Sequence, residues 1–203
     1  MISLGGSNMN FTTNESFILA SASPRRKELL SLLELPFEII TSNVEETSVV
    51  ADNATTYVEQ VALLKTRDVA KNNRGKVIIG ADTIVSFNNQ LLHKPTTKEE
   101  AYTHLETLSG QVHEVMTAVA IILPDGSEHT LVQKTAVHFR HIDRRLMDAY
   151  IASGDPFDKA GGYGIQTDGA LFIEKIDGEY NNVVGLPIAA LVDKLLTLQC
   201  ISI

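Results

Sequence analysis

Apolar runs of strand length recur along the chain, and most of them end in small polar residues or turn signals. They predict strands at Ser16–Ala20, Phe37–Thr41, Lys76–Val85, Gln90–His93, Val112–Leu123, His129–Phe139 and Leu171–Ile176. Apolar positions at helical spacing predict a helix that opens at Pro24, and further helices over Thr55–Ala70, Thr97–Leu108, Asp143–Ser153 and Pro187–Leu198. Because strands and helices are mixed, the pattern indicates an α/β fold with a mixed twisted sheet and flanking helices.

Two helix starts carry capping signals. Ser23 suits an N-cap with Pro24 at the first helical position, where the missing N–H costs nothing. Thr97 and Glu100 have the spacing of a capping box. At 203 residues the chain is long enough for one domain, expected over residues 16–203 as two lobes around a central cleft. Residues 1–15 are expected to be a disordered or artificial tail.

Charge and composition narrow the classes of function. The net charge of −8 argues against a general nucleic-acid binder, because the backbone phosphates would be repelled. The single cysteine, Cys200, excludes an internal disulfide, and a buried structural role is favoured over a reactive thiol. No apolar segment approaches the ~20 residues of a membrane span, so we expect no membrane partner and a cytoplasmic location.

The densest cationic cluster lies between the first predicted strand and the helix that follows it, in the stretch FILASASPRRKELL. A helix N-terminus presents unpaired N–H groups and the positive end of the helix dipole. Ser21 and Ser23 add hydroxyl donors, and Arg25 and Arg26 add planar forks that suit phosphate oxygens. An ordinary cap followed by solvated charges is about equally compatible with this stretch.

Acidic residues supply the second set of candidates. Asp82 interrupts the most apolar predicted strand, VIIGADTIV, and a carboxylate there is costly unless it is paired, metal-bound or facing a cleft. A structural hydrogen bond to a loop is the weaker alternative. Glu45 and Glu46 are solvated by default, but near Asp82 they would help to hold Mg²⁺ or Mn²⁺.

Four further residues are weaker candidates. Lys65 and Lys94 are surface charges by default, although Lys94 is placed to reach a phosphate, and Thr83 adds a hydroxyl beside Asp82. Gln166 closes the glycine-rich stretch DKAGGYGIQ, where a simple turn remains an alternative. Its amide matches the O4 acceptor and N3–H donor of a uracil or thymine edge, and it would equally pair with adenine.

Taken in order, several of these motifs resemble the Maf family of nucleoside triphosphate pyrophosphatases. The resemblance spans roughly residues 17–198 and rests on LASASPRR, VEE, VALLKTRDVA, GADTIV, the Lys94-Pro95 pair, LSGQVHEVMTAVA, DKAGGYGIQ and NVVGLP. It implies a fold similar to inosine triphosphate pyrophosphatase and hydrolysis between the α and β phosphates, with a divalent cation and a homodimeric state.

The resemblance also assigns roles. It implies Asp82 as the proton acceptor for the attacking water and Glu46, with Asp82, as a metal ligand. The phosphate-handling positions are Ser21, Arg25, Arg26, Lys65 and Lys94, and those linked to substrate choice are Arg25, Thr83 and Gln166. The form GYGIQ resembles the subgroup acting on dTTP and UTP.

Two alternatives stay open, namely the same reaction on 7-methyl-GTP or another purine nucleotide, and a nucleotide-binding regulator of cell division. Lys65 is the least certain match to the family pattern. Thr167-Asp168 stands where a glycine is common, which would alter the base pocket slightly.

Overall fold

A computed structural model describes residues 10–45 and 49–203 of the chain. In these ranges one seven-stranded sheet has the order β2-β1-β3-β5-β6-β7, and β4 pairs with β3 beside that path. The strands are β1 (Phe17–Leu19), β2 (Phe37–Ile39), β3 (Val77–Phe87), β4 (Gln90–Leu92), β5 (Val112–Ile122), β6 (Glu128–Phe139) and β7 (Ile173–Asp177). The helices are α1 (Pro24–Ser31), α2 (Ala54–Ala70), α3 (Lys98–Leu108), α4 (Arg144–Ala152), α5 (Tyr180–Val184) and α6 (Ile188–Thr197), and short 3₁₀ turns occupy Asp155–Asp158, Ala160–Gly162 and Asp168–Phe172.

The sheet is mixed because its two halves are connected differently. β1 runs parallel to both β2 and β3, and α1 and α2 make the crossovers that parallel strands require. From β3 onward the pairs β3–β4, β3–β5, β5–β6 and β6–β7 are all antiparallel. The mixed α/β class expected from the sequence is therefore confirmed.

The two largest hydrophobic clusters of the described residues pack against this sheet. One gathers α1 and α6 around the start of β3, with Leu19, Leu30 and Leu191 among its buried members. The other gathers α3 and α4 around the far end of β3, with Leu105 and Phe172 fully buried. The long strands β3 and β5 contribute residues to both clusters, and the two expected lobes stay a prediction.

The two predicted helix caps agree with the structure in all but one detail. The Ser23 hydroxyl accepts the Arg26 N–H, and the Thr97 hydroxyl accepts the Glu100 N–H. The Glu100 carboxylate, however, accepts from the N–H and hydroxyl of Thr96 rather than from Thr97. The reciprocal arm of the predicted capping box is thus displaced by one residue, since a two-donor site at Thr96 is the stronger partner.

Three further predictions need correction. The segment at Tyr180–Val184 is a helix that the sequence analysis did not predict, and β7 begins at Ile173 rather than Leu171. The predicted tail reached residue 15, yet Thr12 bridges to Ser202 and the Thr13 hydroxyl donates to the Cys200 carbonyl. Pairing with the C-terminal segment orders these residues, and local sequence gives no sign of it. Within the described ranges, no helix combines the length and apolar character that crossing a membrane requires.

The helix α2 lies very close to the sheet at Gly80 in β3. A Cβ placed on this glycine would lie 2.1 Å from the Thr66 Oγ1 of α2 and 3.2 Å from the Thr66 Cβ. Real Cβ contacts are never so short, so only glycine lets α2 lie this near β3. The approach matters because α2 also carries Lys65.

We expect Gly80→Ala to lower the free energy of unfolding by about 1–3 kcal/mol, because the added methyl group overpacks the α2–β3 contact. Adding Thr66→Ala removes the nearest atom and should restore most of the loss, giving a clear coupling energy in a double-mutant cycle from urea unfolding. Additive effects of the two substitutions would contradict this account of the glycine.

Candidate active site

Among the residues that the structure describes, the site forms where the middle of one edge of β3 has no neighbouring strand. On that edge β1 pairs with Val77–Ile79 and β4 with Val85–Phe87, while β5 covers the opposite edge continuously. Residues 80–84 therefore lie at an opening between two paired stretches. Side chains of a strand alternate between the faces of its sheet, so this opening can be reached by groups from both faces.

On one face, Asp82 meets the helix α2. The Lys65 Nζ donates to Asp82 Oδ1 at 2.8 Å, and the two side chains are only 16% and 11% exposed. A carboxylate within an apolar strand is costly unless paired, and this ammonium group supplies the pairing. The sequence analysis treated Lys65 as a phosphate-handling residue, whereas the structure gives it a first partner inside the protein.

On the other face, Arg26 reaches the same opening from α1. Its Nη1 donates to the Ala81 carbonyl at 2.8 Å, its Nε to the Gly185 carbonyl at 2.8 Å, and its Nη2 to Thr83 Oγ1 at 3.0 Å. The Ala81 carbonyl lies two residues after Ile79, whose carbonyl accepts the N–H of Ala20 at the end of β1. Arg26 thus donates to the next carbonyl group on this sheet edge, beyond the point where β1 ends.

Arg25 and the turn at 155–158 meet across the mouth of the cleft. Arg25 Nη1 lies 3.3 Å from Asp158 Oδ2, with the side chains 32% and 64% exposed. The buried Lys159 ammonium contacts both Asp155 and Asp158. Burial raises the pKa of Asp158, but the hydrogen bonds and charges of Lys159 and Arg25 outweigh it and hold that pKa below its ordinary value.

These groups line one cavity of about 600 Å³, a volume that suits a nucleotide-sized ligand. Of the predicted residues, the structure brings eight to its wall: Ser23, Arg25, Arg26, Lys65, Asp82, Thr83, Lys94 and Gln166. Ser21 is buried behind the wall, where its hydroxyl oxygen accepts from the Ser23 N–H and from Arg26 Nη1. Ser21 therefore contacts two groups of the cavity wall, and its predicted contact with a phosphate stays a prediction.

Glu46, the predicted metal ligand, lies outside the described residues. Within the described ranges no group of three acidic, histidine or cysteine side chains is arranged to hold a metal ion by itself. Asp82 offers one carboxylate at the cavity wall. That donor set fits Mg²⁺ or Mn²⁺ only if the remaining ligands are water and substrate oxygens, which is how Mg²⁺ is commonly held in nucleotide sites.

The sequence analysis missed a buried aromatic pair behind the glycine-rich stretch. Tyr163 lines the cavity, and its hydroxyl lies 2.7 Å from His113 Nε2 on β5. Burial lowers the pKa of His113 to about 3 and raises the pKa of Tyr163. Gly161 holds φ at +70°, and a Cβ there would lie 2.8 Å from Val85 Cγ2, so glycine is needed to seat this segment. The clustered glycines were a usable signal, but nothing local marks His113.

Comparison with solved structures defines the class of fold. A HAM1 protein from Coxiella burnetii superposes with a TM-score of 0.51 over 91% of this chain and 99% of that chain, at 15% sequence identity. At this identity the likeness concerns the fold alone, which is the mixed α/β architecture described above.

The sequence relationship is more specific. A family described as Maf-like protein matches residues 16–198, and the chain belongs to that family. A Bacillus cereus protein named dTTP/UTP pyrophosphatase is 48% identical over 178 residues, covering 88% of this chain and 93% of the relative. A Bacillus anthracis protein of the same name is 49% identical with the same coverage.

The Arg25–Asp158 contact predicts how the mouth of the cleft responds to an anion. We expect Asp158→Asn to bind inorganic pyrophosphate severalfold more tightly at low salt, because a competing carboxylate is removed from Arg25. Isothermal titration measures this, with Asp193→Asn on the exposed face of α6 as a control of equal net charge. Equal affinities for the two variants would contradict a competing role for Asp158.

The buried His113 predicts a component of acid sensitivity. Its pKa falls from an ordinary 6.5 to about 3 on folding, so between these values the unfolded chain binds a proton that the folded chain does not. The neutral, buried His113 therefore makes its full contribution to the free energy of unfolding well above pH 6.5. That contribution decreases as the pH falls, by about 2 kcal/mol between pH 7 and pH 5. Urea unfolding at both pH values should show this loss reduced in His113→Gln. It should be unchanged in His141→Gln, at an exposed position.

Proposed function

We propose that this protein hydrolyses nucleoside triphosphates between the α and β phosphates, giving a nucleoside monophosphate and pyrophosphate. The observation that carries the proposal is the meeting of Asp82, a buried acid, with the cations Arg25, Arg26, Lys65 and Lys94 in one cavity. Family membership and the names of the close Bacillus relatives support the same reaction.

Asp82 is the residue we assign to proton transfer. Lys65 holds Oδ1 at 2.8 Å and so fixes the orientation of the carboxylate, which leaves Oδ2 to accept the proton of a water molecule. Water is then added across the α–β anhydride, and the proton passes to Asp82 as the anhydride bond breaks. General-base catalysis of this kind contributes about 10²–10⁴-fold to the rate.

The cations stabilise the charge that a triphosphate brings into a protein of net charge −8. Arg25 and Lys94 reach the cavity from different elements, Arg25 from α1 and Lys94 from the segment after β4. Arg25 exchanges its partner Asp158 for a phosphate oxygen as the substrate enters. Arg26 keeps its protein partners and fixes the shape of the wall.

We propose a divalent cation, Mg²⁺ or Mn²⁺, as cofactor, with Asp82 and the predicted ligand Glu46 on the protein side. When bound, it would neutralise phosphate charge and lower the pKa of a coordinated water.

We propose dTTP and UTP as the substrates. Gln166 is exposed at the cavity wall beside Ile165 and Gly164, where its amide can pair with a pyrimidine O4 and N3–H. The names of the relatives support this choice over a purine nucleotide. We also propose that the enzyme acts as a cytoplasmic homodimer without nucleic-acid partners, as the family resemblance implies; light scattering of the purified chain tests the dimer.

The deciding experiment incubates the protein with dTTP, UTP, CTP, GTP and 7-methyl-GTP plus Mg²⁺ or Mn²⁺. We expect pyrophosphate rather than orthophosphate as product, and turnover of dTTP and UTP above the others. A preference for 7-methyl-GTP would keep the reaction and reject the pyrimidine substrates, and nucleotide binding without turnover would favour the regulator.

Asp82→Asn should lower kcat by about 100-fold or more, because the variant keeps the shape of the side chain but cannot accept a proton. Asp193→Asn, which removes the same charge far from the cavity, should keep full activity. Full activity in Asp82→Asn, with a wild-type melting temperature, would overturn the assigned role of Asp82.

A further inference from the structure

Two threonine hydroxyl groups form a hydrogen-bond chain that leads from the cavity wall into the protein interior. Thr83 on β3 and Thr117 on β5 are paired across the sheet, and their Oγ1 atoms lie 2.9 Å apart. Thr117 is fully buried, so its hydroxyl must find its partners inside the protein. The distance alone does not say which of the two groups donates.

The end of α5 decides that direction. In a continuing helix the Leu186 N–H would reach the Asn182 carbonyl, but it donates to the Asn181 carbonyl instead. The Asn182 carbonyl accepts from Thr117 Oγ1 at 2.9 Å. A carbonyl has no proton, so the single hydroxyl proton of Thr117 is committed to this bond.

The rest of the chain follows from counting protons. Since the Thr117 proton points at Asn182, Thr83 must donate to Thr117, and Thr83 Oγ1 then accepts from Arg26 Nη2 at 3.0 Å. We infer that Thr117 is a positioning residue: through Thr83 it fixes the Arg26 guanidinium, along a hydrogen-bond chain that runs from Arg26 to the Asn182 carbonyl.

Both ends of the Arg26 guanidinium are held by the same short segment, which follows from the next contacts. Arg26 Nε donates to the Gly185 carbonyl at 2.8 Å, and Gly185 follows Asn182 by three residues. One end of the guanidinium is thus held by Gly185 and the other, through both hydroxyls, by Asn182. Loss of either hydroxyl leaves a buried group unpaired, and the guanidinium loses one of its fixed contacts.

The direction of the chain also limits what Thr83 can offer a ligand. Its proton is committed to Thr117 and one lone pair to Arg26, which leaves one lone pair. A ligand group that meets this hydroxyl at the cavity wall must therefore be a hydrogen-bond donor, such as a sugar hydroxyl or a base N–H, or a cation, and not an unprotonated phosphate oxygen. This statement about the ligand rests on the proposed function, whereas the hydrogen-bond chain from Arg26 to Asn182 does not.

The test compares Thr117→Val with Thr117→Ser and with a matched control, Thr135→Val. Thr135 on β6 is equally buried and anchors the same segment, accepting from Asn182 Nδ2 at 2.9 Å and donating to the Glu179 carbonyl at 3.0 Å. We expect both valine variants to lose stability. Only Thr117→Val should lose kcat/KM for dTTP, by about tenfold, because only it releases Arg26; Thr117→Ser should restore it.

A second readout needs no turnover. Solvent exchange of the Arg26 Nε–H, followed by nitrogen-15 NMR without nucleotide, should be faster in Thr117→Val than in the wild type, and unchanged in Thr117→Ser and Thr135→Val. A wild type that hydrolyses no nucleotide would reject the proposed function and leave this comparison standing. Equal exchange in both valine variants would overturn the positioning role. If Thr117→Val does not fold, the pair Thr83→Val and Thr83→Ser decides by the same exchange measurement.

Discussion

The interruption of one edge of β3 is the constraint on which the rest of the molecule depends. A sheet edge leaves N–H and carbonyl groups without partners. On this edge of β3, pairing with β1 ends at Ile79 and pairing with β4 begins only at Val85. Arg26 supplies the missing donor to the Ala81 carbonyl, so the edge is bonded without a strand filling the gap. That solution keeps a cavity open beside Asp82 and Thr83, which a continuous neighbouring strand would have closed.

Because side chains alternate along β3, the two neighbouring residues of the site lie on opposite faces of the sheet. Asp82 points toward α2 and is paired with Lys65, whereas Thr83 points toward α1 and α5 and is bonded to Arg26. The close approach of α2 at Gly80 is what brings Lys65 near its partner. Acid and guanidinium thus reach one cavity from opposite faces, each held by contacts that do not involve the ligand. A site held in this way is organised before substrate arrives.

Charge at the mouth of the cavity is balanced within the protein itself. Arg25 is held by Asp158, which is also bonded to the buried Lys159, so the turn at 155–158 and the start of α1 face each other as opposite charges. Under the proposed function a triphosphate would compete with this carboxylate for Arg25. The exposed Arg25–Asp158 contact is also screened by salt. The deeper pair of Lys65 and Asp82 is shielded from such screening by burial.

Local chemistry in the sequence determined much of this protein. Apolar spacing located the long strands and most helices, the Ser23-Pro24 cap placed α1, and an aspartate within an apolar strand pointed to a site. What depends on groups distant in the chain was beyond its reach. Four features are of this kind: the displaced partner of Glu100, the helix at Tyr180–Val184, the pairing of Thr12 with Ser202, and the contact between Ser21 and Arg26. The direction of the hydrogen bonds from Thr83 to Thr117 is another, because it is set by the Asn182 carbonyl, which has no donor within its own helix and accepts from Thr117. The sequence determines which donors and acceptors are present. Only the tertiary structure determines which of them bond to each other, because their partners lie far apart along the chain.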